Sequence, residues 1–158
     1  MIWVDVFEPK EILPLLSQSV TVSQISLNHQ GFADYMWTDV QNNIRQWERK
    51  QFIECVSDLD AVEEQLNHHL NYCQELTLVI ENVGVSTAQG VQEYRRKGVF
   101  FTGQYQFPDP KLIKSGRARS QPGLWSKFEA WKSGLRAQGV LVVETNELEH
   151  PQIGRAHV

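Results

Sequence analysis

Two short and almost uniformly apolar runs constrain the fold of this chain more than any other feature. Leu76 to Ile80 and Gly139 to Val143 are far shorter than the roughly 18 apolar residues of a membrane span. Such runs are typical of strands in a sheet that is covered on both faces. Between them, Leu124 to Gln138 has the apolar spacing of an amphipathic helix. This strand–helix–strand order predicts an α/β fold with a mixed central β-sheet flanked by helices.

The same periodicities predict elements along the rest of the chain. They are a strand at 2–7, a short helix at 9–18, a strand at 20–27, hairpin arms at 32–38 and 44–50, and a helix at 51–73. We expect the last of these to be a single helix of about six turns, because its apolar residues recur at spacings of three and four. Further on, 99–107 is predicted as a strand or hairpin arm and 111–123 as a basic loop.

The charges of the chain are unevenly distributed. Residues 1–85 carry 13 acidic side chains and 4 Lys or Arg, whereas residues 86–140 carry 3 and 10, so the net charges are −9 and +7. Such asymmetry is compatible with a basic surface that follows phosphates beside an acidic pocket that holds cations. It is equally compatible with two solvated faces.

Cysteine content and the first residues predict an intracellular protein that does not enter a membrane. Cys55 and Cys73 are too few for a disulfide framework, and the chain opens without a basic leader. Both thiols are expected in the core. His68 and His69 are adjacent and point in different directions on a helix, so we interpret them as solvated or boundary residues and not as metal ligands.

The predicted hairpin brings together residues that suit phosphodiester chemistry. If it is centred near Gln41, Asp34 lies directly across from Glu48, and Lys50 shares the face of Glu48. Two carboxylates on neighbouring strands form a hard-oxygen site that suits Mg²⁺ or Mn²⁺. The alternative is an exposed hairpin in which Glu48 and Lys50 form a surface ion pair worth less than about 1 kcal/mol.

The motifs around this hairpin resemble those of the XPF-type structure-specific nucleases, a branch of the PD-(D/E)XK superfamily. The family signature is Gly-Asp, a spacer, Glu-Arg-Lys, three residues and Asp. The matching segments of this chain are Val4 to Glu8, Ala33-Asp34, Glu48-Arg49-Lys50 with Glu54, Gln65-Leu66 and Leu78 to Glu81. The chain departs from the family at Ala33, where the family has glycine, at Phe7, where it has arginine, and at Glu54, where it has aspartate.

The resemblance implies a restriction-endonuclease-like fold and a role for each matching residue. Asp34 and Glu48 are implied as metal ligands, with the backbone carbonyl of Arg49 as a third, and Lys50 as the catalytic lysine. Supporting acids near the Mg²⁺ or Mn²⁺ are implied at Asp5, Glu8 and Glu54. The implied reaction is metal-dependent hydrolysis of one DNA strand near a branch, flap or fork.

Contacts to the DNA backbone are expected in the basic segment 83–123, which we interpret as an insertion or loop without a counterpart in the family. The candidate residues are Arg95, Arg96, Lys97, Lys111, Lys114, Arg117 and Arg119. Family members usually carry paired helix-hairpin-helix units that grip DNA and dimerise, so the expected partners are DNA and a second subunit in a homodimer or heterodimer.

Two other functions remain open from the sequence. One is a non-catalytic nuclease fold that serves as a DNA-binding or dimerisation scaffold. The other is a restriction or recombination enzyme of the PD-(D/E)XK type. Residues 1–151 are interpreted as one XPF-type nuclease domain that is truncated at its C-terminus. Residues 153–158 coincide with a common adapter read-through and are interpreted as non-native.

Overall fold

The computed structural model describes residues 1–96 and 112–144, which form a six-stranded and a three-stranded sheet with four α-helices. The strands are β1 Ile2–Asp5, β2 Val22–Ile25, β3 Tyr35–Thr38, β4 Ile44–Gln51, β5 Glu75–Glu81, β6 Val83–Ser86, β7 Val91–Arg96, β8 Leu112–Arg119 and β9 Leu141–Glu144. The helices are α1 Ile12–Ser17, α2 Phe52–Ser57, α3 Leu59–Leu70 and α4 Leu124–Ala137.

The large sheet has the strand order β2-β1-β3-β4-β5-β9 and is mixed, as the sequence predicts. The β1–β3 and β3–β4 pairs are antiparallel, and the β1–β2, β4–β5 and β5–β9 pairs are parallel. The central strand β5 is buried along almost its whole length because both of its neighbours are parallel strands and both faces are covered. The prediction of a buried strand is therefore confirmed for β5. It is wrong for the second apolar run, because β9 lies at the edge of the sheet and is only partly buried, with Leu141 49% exposed.

Each face of the large sheet has its own apolar core. On one face, side chains of β5 pack against α2, α3 and α4, with Phe52, Leu66 and Phe128 among the buried residues. On the other face, α1 covers β1 and β3 through Ile12 and Leu16. Alternate residues of β4 thus point into two different environments, which decides where its charged side chains lie.

The prediction of one helix over 51–73 is wrong, because the chain breaks at Asp58. Asp58 has φ −158° and ψ 84°, which is not helical, and its carboxylate accepts a hydrogen bond from the backbone N–H of Ala61 at 3.0 Å. The residue therefore ends α2 and caps the start of α3. The apolar stripe continues through both helices because each of them packs on the same face of the sheet. Periodicity alone does not detect such a break.

The prediction of a basic loop at 111–123 is also wrong for the residues that the structure describes, whereas the interpretation of 83–123 as an insertion stays a prediction. Strands β6, β7 and β8 form an antiparallel sheet, and β8 contains most of the segment that was expected to be a loop. β8 lies at an edge of the small sheet and most of its described residues are exposed, so charged side chains are tolerated along it. For this reason the sequence lacks the alternation of apolar and polar residues from which a strand is predicted. The predicted strand at 99–107 and the segment 153–158 lie outside the described residues.

Glu93 attaches the small sheet to α2. The Glu93 side chain is fully buried, and one of its carboxylate oxygens accepts the backbone N–H of Ile53 at 3.0 Å. The Arg117 guanidinium lies 3.9 Å from the other oxygen and donates a 2.6 Å hydrogen bond to the Gln51 side chain. Gly84 lies so close to the Phe52 ring that any side chain at this position would overlap it. The small sheet is therefore fixed to the segment that directly follows Lys50.

Within residues 1–96 and 112–144, no helix is both long enough and apolar enough to cross a membrane.

We expect Glu93→Ala to lower the free energy of unfolding by about 1–3 kcal/mol, because it leaves the buried N–H of Ile53 without an acceptor. Urea unfolding of the purified chain measures this loss. The matched control Glu64→Ala, at an exposed position of α3, should stay within about 0.5 kcal/mol of the parent. Equal stability of the two variants would show that Glu93 does not hold the small sheet.

Candidate active site

The β3–β4 hairpin pairs as the sequence predicts. Tyr35 is opposite Trp47, and this register places Asp34, one residue before β3, next to Glu48 on β4. The backbone N–H of Arg49 donates a 2.8 Å hydrogen bond to one Asp34 carboxylate oxygen, and the Asn28 side-chain amide donates to the other at 3.2 Å. Two acids far apart in sequence are thereby held side by side on neighbouring strands.

Burial makes this pair of carboxylates electrostatically unfavourable. Asp34 is 7% exposed and Glu48 is 2% exposed. Loss of solvent raises the pKa of Asp34 well above its ordinary value, and the negative charges of Glu48 and Glu8 raise it further. The hydrogen bonds from Arg49 and Asn28 oppose this shift without cancelling it. A cation between the two carboxylates would remove the repulsion.

The Glu48 carboxylate is held from three directions on the α3 side of the sheet. The Lys50 ammonium lies 3.7 Å from one oxygen, and the Gln65 amide donates to that same oxygen at 3.4 Å. The His69 Nε2 atom lies 3.1 Å from the other oxygen, and His69 Nδ1 lies 3.2 Å from the carbonyl oxygen of Gly31. Lys50 therefore shares the face of Glu48, as expected.

His69 is the residue of this site that sequence reasoning missed. The interpretation of His69 as a solvated or boundary histidine is wrong, because its side chain is buried between Glu48 and Gly31. Gln65 and His69 are four residues apart and so lie on one face of α3. The available signal in the sequence was this pair of polar residues on one helical face next to the buried Leu66, which indicates a polar contact in the interior. The prediction that both cysteines belong to the core is confirmed for the buried Cys55, while Cys73 packs at the edge of the same cluster.

Asp5 lies at the end of β1 and stabilises the loop that carries Asn28. Its two carboxylate oxygens accept backbone N–H groups, from Phe7 at 3.0 Å and from Asn28 at 2.8 Å. The backbone N–H of Asp5 also donates to the carbonyl oxygen of Asp34 at 2.9 Å. Asp5 is thus adjacent to the carboxylate pair, and both of its oxygens have partners in the backbone.

The side chains of Arg49 and Glu8 meet on the opposite face of β4 from Glu48. An Arg49 Nη atom lies 3.4 Å from a Glu8 carboxylate oxygen, and Arg49 Nε contacts Glu81 at the end of β5. The Tyr35 phenol is part of the same environment, and burial followed by the charge of Glu8 raises its pKa well above the ordinary value. The Arg49 side chain therefore links β4, β5 and the loop after β1.

Glu54 caps α2. Its carboxylate accepts the backbone N–H of Gln51 at 3.1 Å, and the Gln51 side chain accepts the backbone N–H of Glu54 in return. This reciprocal arrangement is a capping box. The Glu54 side chain is exposed and lies in the first turn of α2, after Lys50. Its role in the structure is to cap the N-terminus of this helix.

The expected DNA-contacting residues of the small sheet differ in their surroundings. Arg95 and Lys114 are exposed. Arg117 and Arg119 are exposed as well, but Arg117 bonds Gln51 and Arg119 donates to the carbonyl oxygen of Ser57 at 3.3 Å, so both contact α2. Arg96 ends β7, and nothing is described of its side chain. Lys97 and Lys111 lie outside the described residues.

The donor set of the carboxylate pair fits a small divalent cation. Asp34 and Glu48 supply hard oxygen atoms, which Mg²⁺ and Mn²⁺ prefer, and the buried negative charge is only partly offset by Lys50. Among residues 1–96 and 112–144, no group of three or more His, Cys, Asp or Glu side chains is placed to hold a metal ion, so the protein would contribute the two carboxylates alone. Mg²⁺ commonly binds through one or two carboxylates and completes its shell with water and substrate phosphate.

The fold resembles that of solved structures, whereas the sequence matches no family model. No protein-family model and no curated protein matches the chain. Among solved structures, XPF from Aeropyrum pernix superposes with a TM-score of 0.58 and 17% identity, over 98% of this chain and 61% of that one. XPF from the same organism in complex with DNA superposes with a TM-score of 0.54 and 19% identity over the same shares.

The chain spans about three fifths of the length of these structures. From these superpositions, the protein has the fold of the XPF-type nucleases.

Proposed function

We propose that this chain is a metal-dependent DNA endonuclease that hydrolyses a phosphodiester bond near a branch, flap or fork. The observation that carries the proposal is the meeting of Asp34, Glu48 and Lys50 at one place in an XPF-type fold. Two buried carboxylates and a lysine on one sheet face are the groups that phosphodiester hydrolysis requires.

Asp34 and Glu48 would hold a Mg²⁺ or Mn²⁺ ion, and such an ion would supply positive charge to the phosphate and a lowered pKa to an attacking water. The Lys50 ammonium, next to Glu48, is placed to orient that water or to offset phosphate charge. Gln65 and His69 keep the Glu48 carboxylate in one orientation. Asn28 and the Arg49 backbone do the same for Asp34.

DNA as the substrate is supported by the fold and by the charge distribution. A protein with the same fold has been solved in complex with DNA. The exposed Arg95 and Lys114 lie on the small sheet, which is fixed to the segment directly after Lys50. Exposed cations on a sheet that is fixed to this segment are suited to contacts with the phosphate backbone.

A non-catalytic DNA-binding scaffold is the second candidate. One observation favours it: both carboxylates already have partners inside the chain, so the pair is held without a metal ion. A restriction or recombination enzyme with the same groups would differ in substrate, because it would cut plain duplex or four-way junctions. Cleavage assays separate these functions.

We expect the chain to cut flap or fork DNA in Mg²⁺ or Mn²⁺, and Glu48→Gln and Lys50→Ala to lose roughly 100-fold or more of this activity while still binding DNA. Labelled flap, fork and linear duplex substrates measure this. Glu64→Gln and Lys127→Ala, at exposed positions of α3 and α4, are the matched controls and should cut normally. Equal cleavage of linear duplex would favour the restriction type, and unchanged DNA binding without cleavage would favour the scaffold.

Glu54→Gln distinguishes a cap from a metal ligand. A glutamine at this position still accepts the Gln51 N–H, so the capping box is kept, whereas a carboxylate ligand would be lost. We expect Glu54→Gln to cut DNA at nearly the parent rate, and Glu54→Ala to lower the free energy of unfolding by about 0.5–1 kcal/mol. A large loss of cleavage in Glu54→Gln at parent stability would instead assign Glu54 to the metal site.

His69→Ala should weaken Mn²⁺ binding by about tenfold, because the Glu48 carboxylate loses one of the groups that orient it. Calorimetric titration with Mn²⁺ measures the affinity directly, without cleavage. His69→Gln keeps a donor amide and should recover most of the affinity. Parent affinity in His69→Ala would show that the histidine does not position Glu48.

Arg95→Ala and Lys114→Ala should each reduce the slope of log Kd for DNA against log salt concentration by about 1, since each removes one phosphate contact. Binding titrations at several salt concentrations measure the slope. Lys10→Ala, an exposed lysine just before α1, is the control and should leave the slope unchanged. Parent slopes in both variants would place the DNA elsewhere on the surface.

A further inference from the structure

A cavity of about 360 Å³ opens beside the carboxylate pair, between the loop before β3 and the end of α3. It is lined by His29, Gln30, Gly31, Phe32, His68 and Tyr72. Its volume is at the lower end of the range of about 300–1,000 Å³ for small-molecule sites. The lining contains rings, an amide and backbone, but no Lys, Arg, Asp or Glu, so it suits a flat, uncharged and polar-edged group better than a phosphate.

Three neighbouring rings, those of His68, His69 and Tyr72, form an aromatic cluster at the end of α3, along one wall of the cavity. The His68 ring centroid lies 5.3 Å from that of Tyr72 at an interplanar angle of 56°, and 5.8 Å from that of His69 at 63°. Tyr72 is 53% exposed. Its backbone is fixed, because the Gln46 side-chain amide donates a 3.3 Å hydrogen bond to the Tyr72 carbonyl oxygen. A fixed backbone thus presents a free ring surface at the mouth of the cavity.

Gly31 keeps the opposite wall open. It has φ +89°, a conformation that favours glycine, and a Cβ at this position would lie 3.3 Å from His68 Nε2. Any side chain at Gly31 would therefore require a strained backbone and would contact the His68 ring too closely.

The cavity and the carboxylate pair share a wall. The Gly31 carbonyl oxygen lies 3.2 Å from His69 Nδ1, and His69 Nε2 lies 3.1 Å from the Glu48 carboxylate. One buried imidazole therefore separates the lining of the cavity from a residue that would hold the metal. A group in the cavity would therefore be separated from Glu48 by this imidazole.

We propose that this cavity binds an unpaired nucleobase of the DNA strand that is bound at Asp34 and Glu48. The inference rests on the proposed function and adds to it a reason for preferring branched DNA. A base can stack on Tyr72 or His68 only after it has left the duplex, where its faces are already covered. The Gln30 amide and the His29 ring are available for the polar edge of the base.

The experiment uses Lys50→Ala protein, which is expected to bind flap DNA without cutting it, in the presence of Mg²⁺. The fluorescent base 2-aminopurine is placed in turn at each of the first unpaired nucleotides next to the junction. At one position, we expect quenching that survives Tyr72→Phe and is lost in Tyr72→Ala. Tyr72→Ala should weaken flap binding about tenfold and leave linear duplex binding unchanged.

The exposed ring of Phe7, which lies outside the cavity, provides the control Phe7→Ala, and this variant should keep both the quenching and the affinity. The inference is overturned if no position shows quenching that depends on the Tyr72 ring, or if Tyr72→Ala weakens flap and duplex binding equally. If the protein binds neither DNA, the proposed function fails and the inference fails with it. If it binds both without ring-dependent quenching, only the inference fails.

Discussion

The hydrogen bond from the Arg49 backbone to the Asp34 carboxylate is the contact on which the candidate site depends, because it fixes one buried acid against the strand that carries the other. The cost of this arrangement appears in the raised pKa of Asp34. Asn28, Gln65 and His69 hold the two carboxylates in place against their repulsion. Ionisable groups with strongly shifted pKa values cluster at functional sites, and this is the basis of the proposed metal site.

The alternation of side chains along β4 divides its charges between two tasks. Glu48 and Lys50 point toward α3 and belong to the proposed active site, whereas Arg49 points to the other face and joins Glu8 to Glu81. Just beyond Lys50, the strand ends in the capping box of α2, which also receives the small sheet through Glu93. Strand β4 is therefore supported from both faces and at its end.

The sequence predicted the parts of the structure that depend on local pattern. The register of the hairpin followed from its polar turn, and the buried strand β5 followed from its apolar run. The break between α2 and α3 at Asp58 could not be predicted from this pattern, because the apolar stripe continues through both helices. The break depends on one capping hydrogen bond, from the Ala61 N–H to Asp58. The contact of His69 with Glu48 joins residues 21 positions apart on different elements, so it depends on the packing of α3 against β4.

The most direct test of the account is thermal unfolding of the parent and Asp34→Asn, each with a chelator and with Mn²⁺. An asparagine keeps the acceptor for the Arg49 N–H but loses the acceptor for the Asn28 amide. Burial and the charge of Glu48 act on Asp34 more strongly than the Asn28 hydrogen bond does, so removal of the charge should make Asp34→Asn the more stable of the two with chelator. Mn²⁺ should raise the Tm of the parent by binding its folded state, and should leave that of Asp34→Asn nearly unchanged. A less stable Asp34→Asn in chelator, together with equal Mn²⁺ shifts in both proteins, would contradict the account.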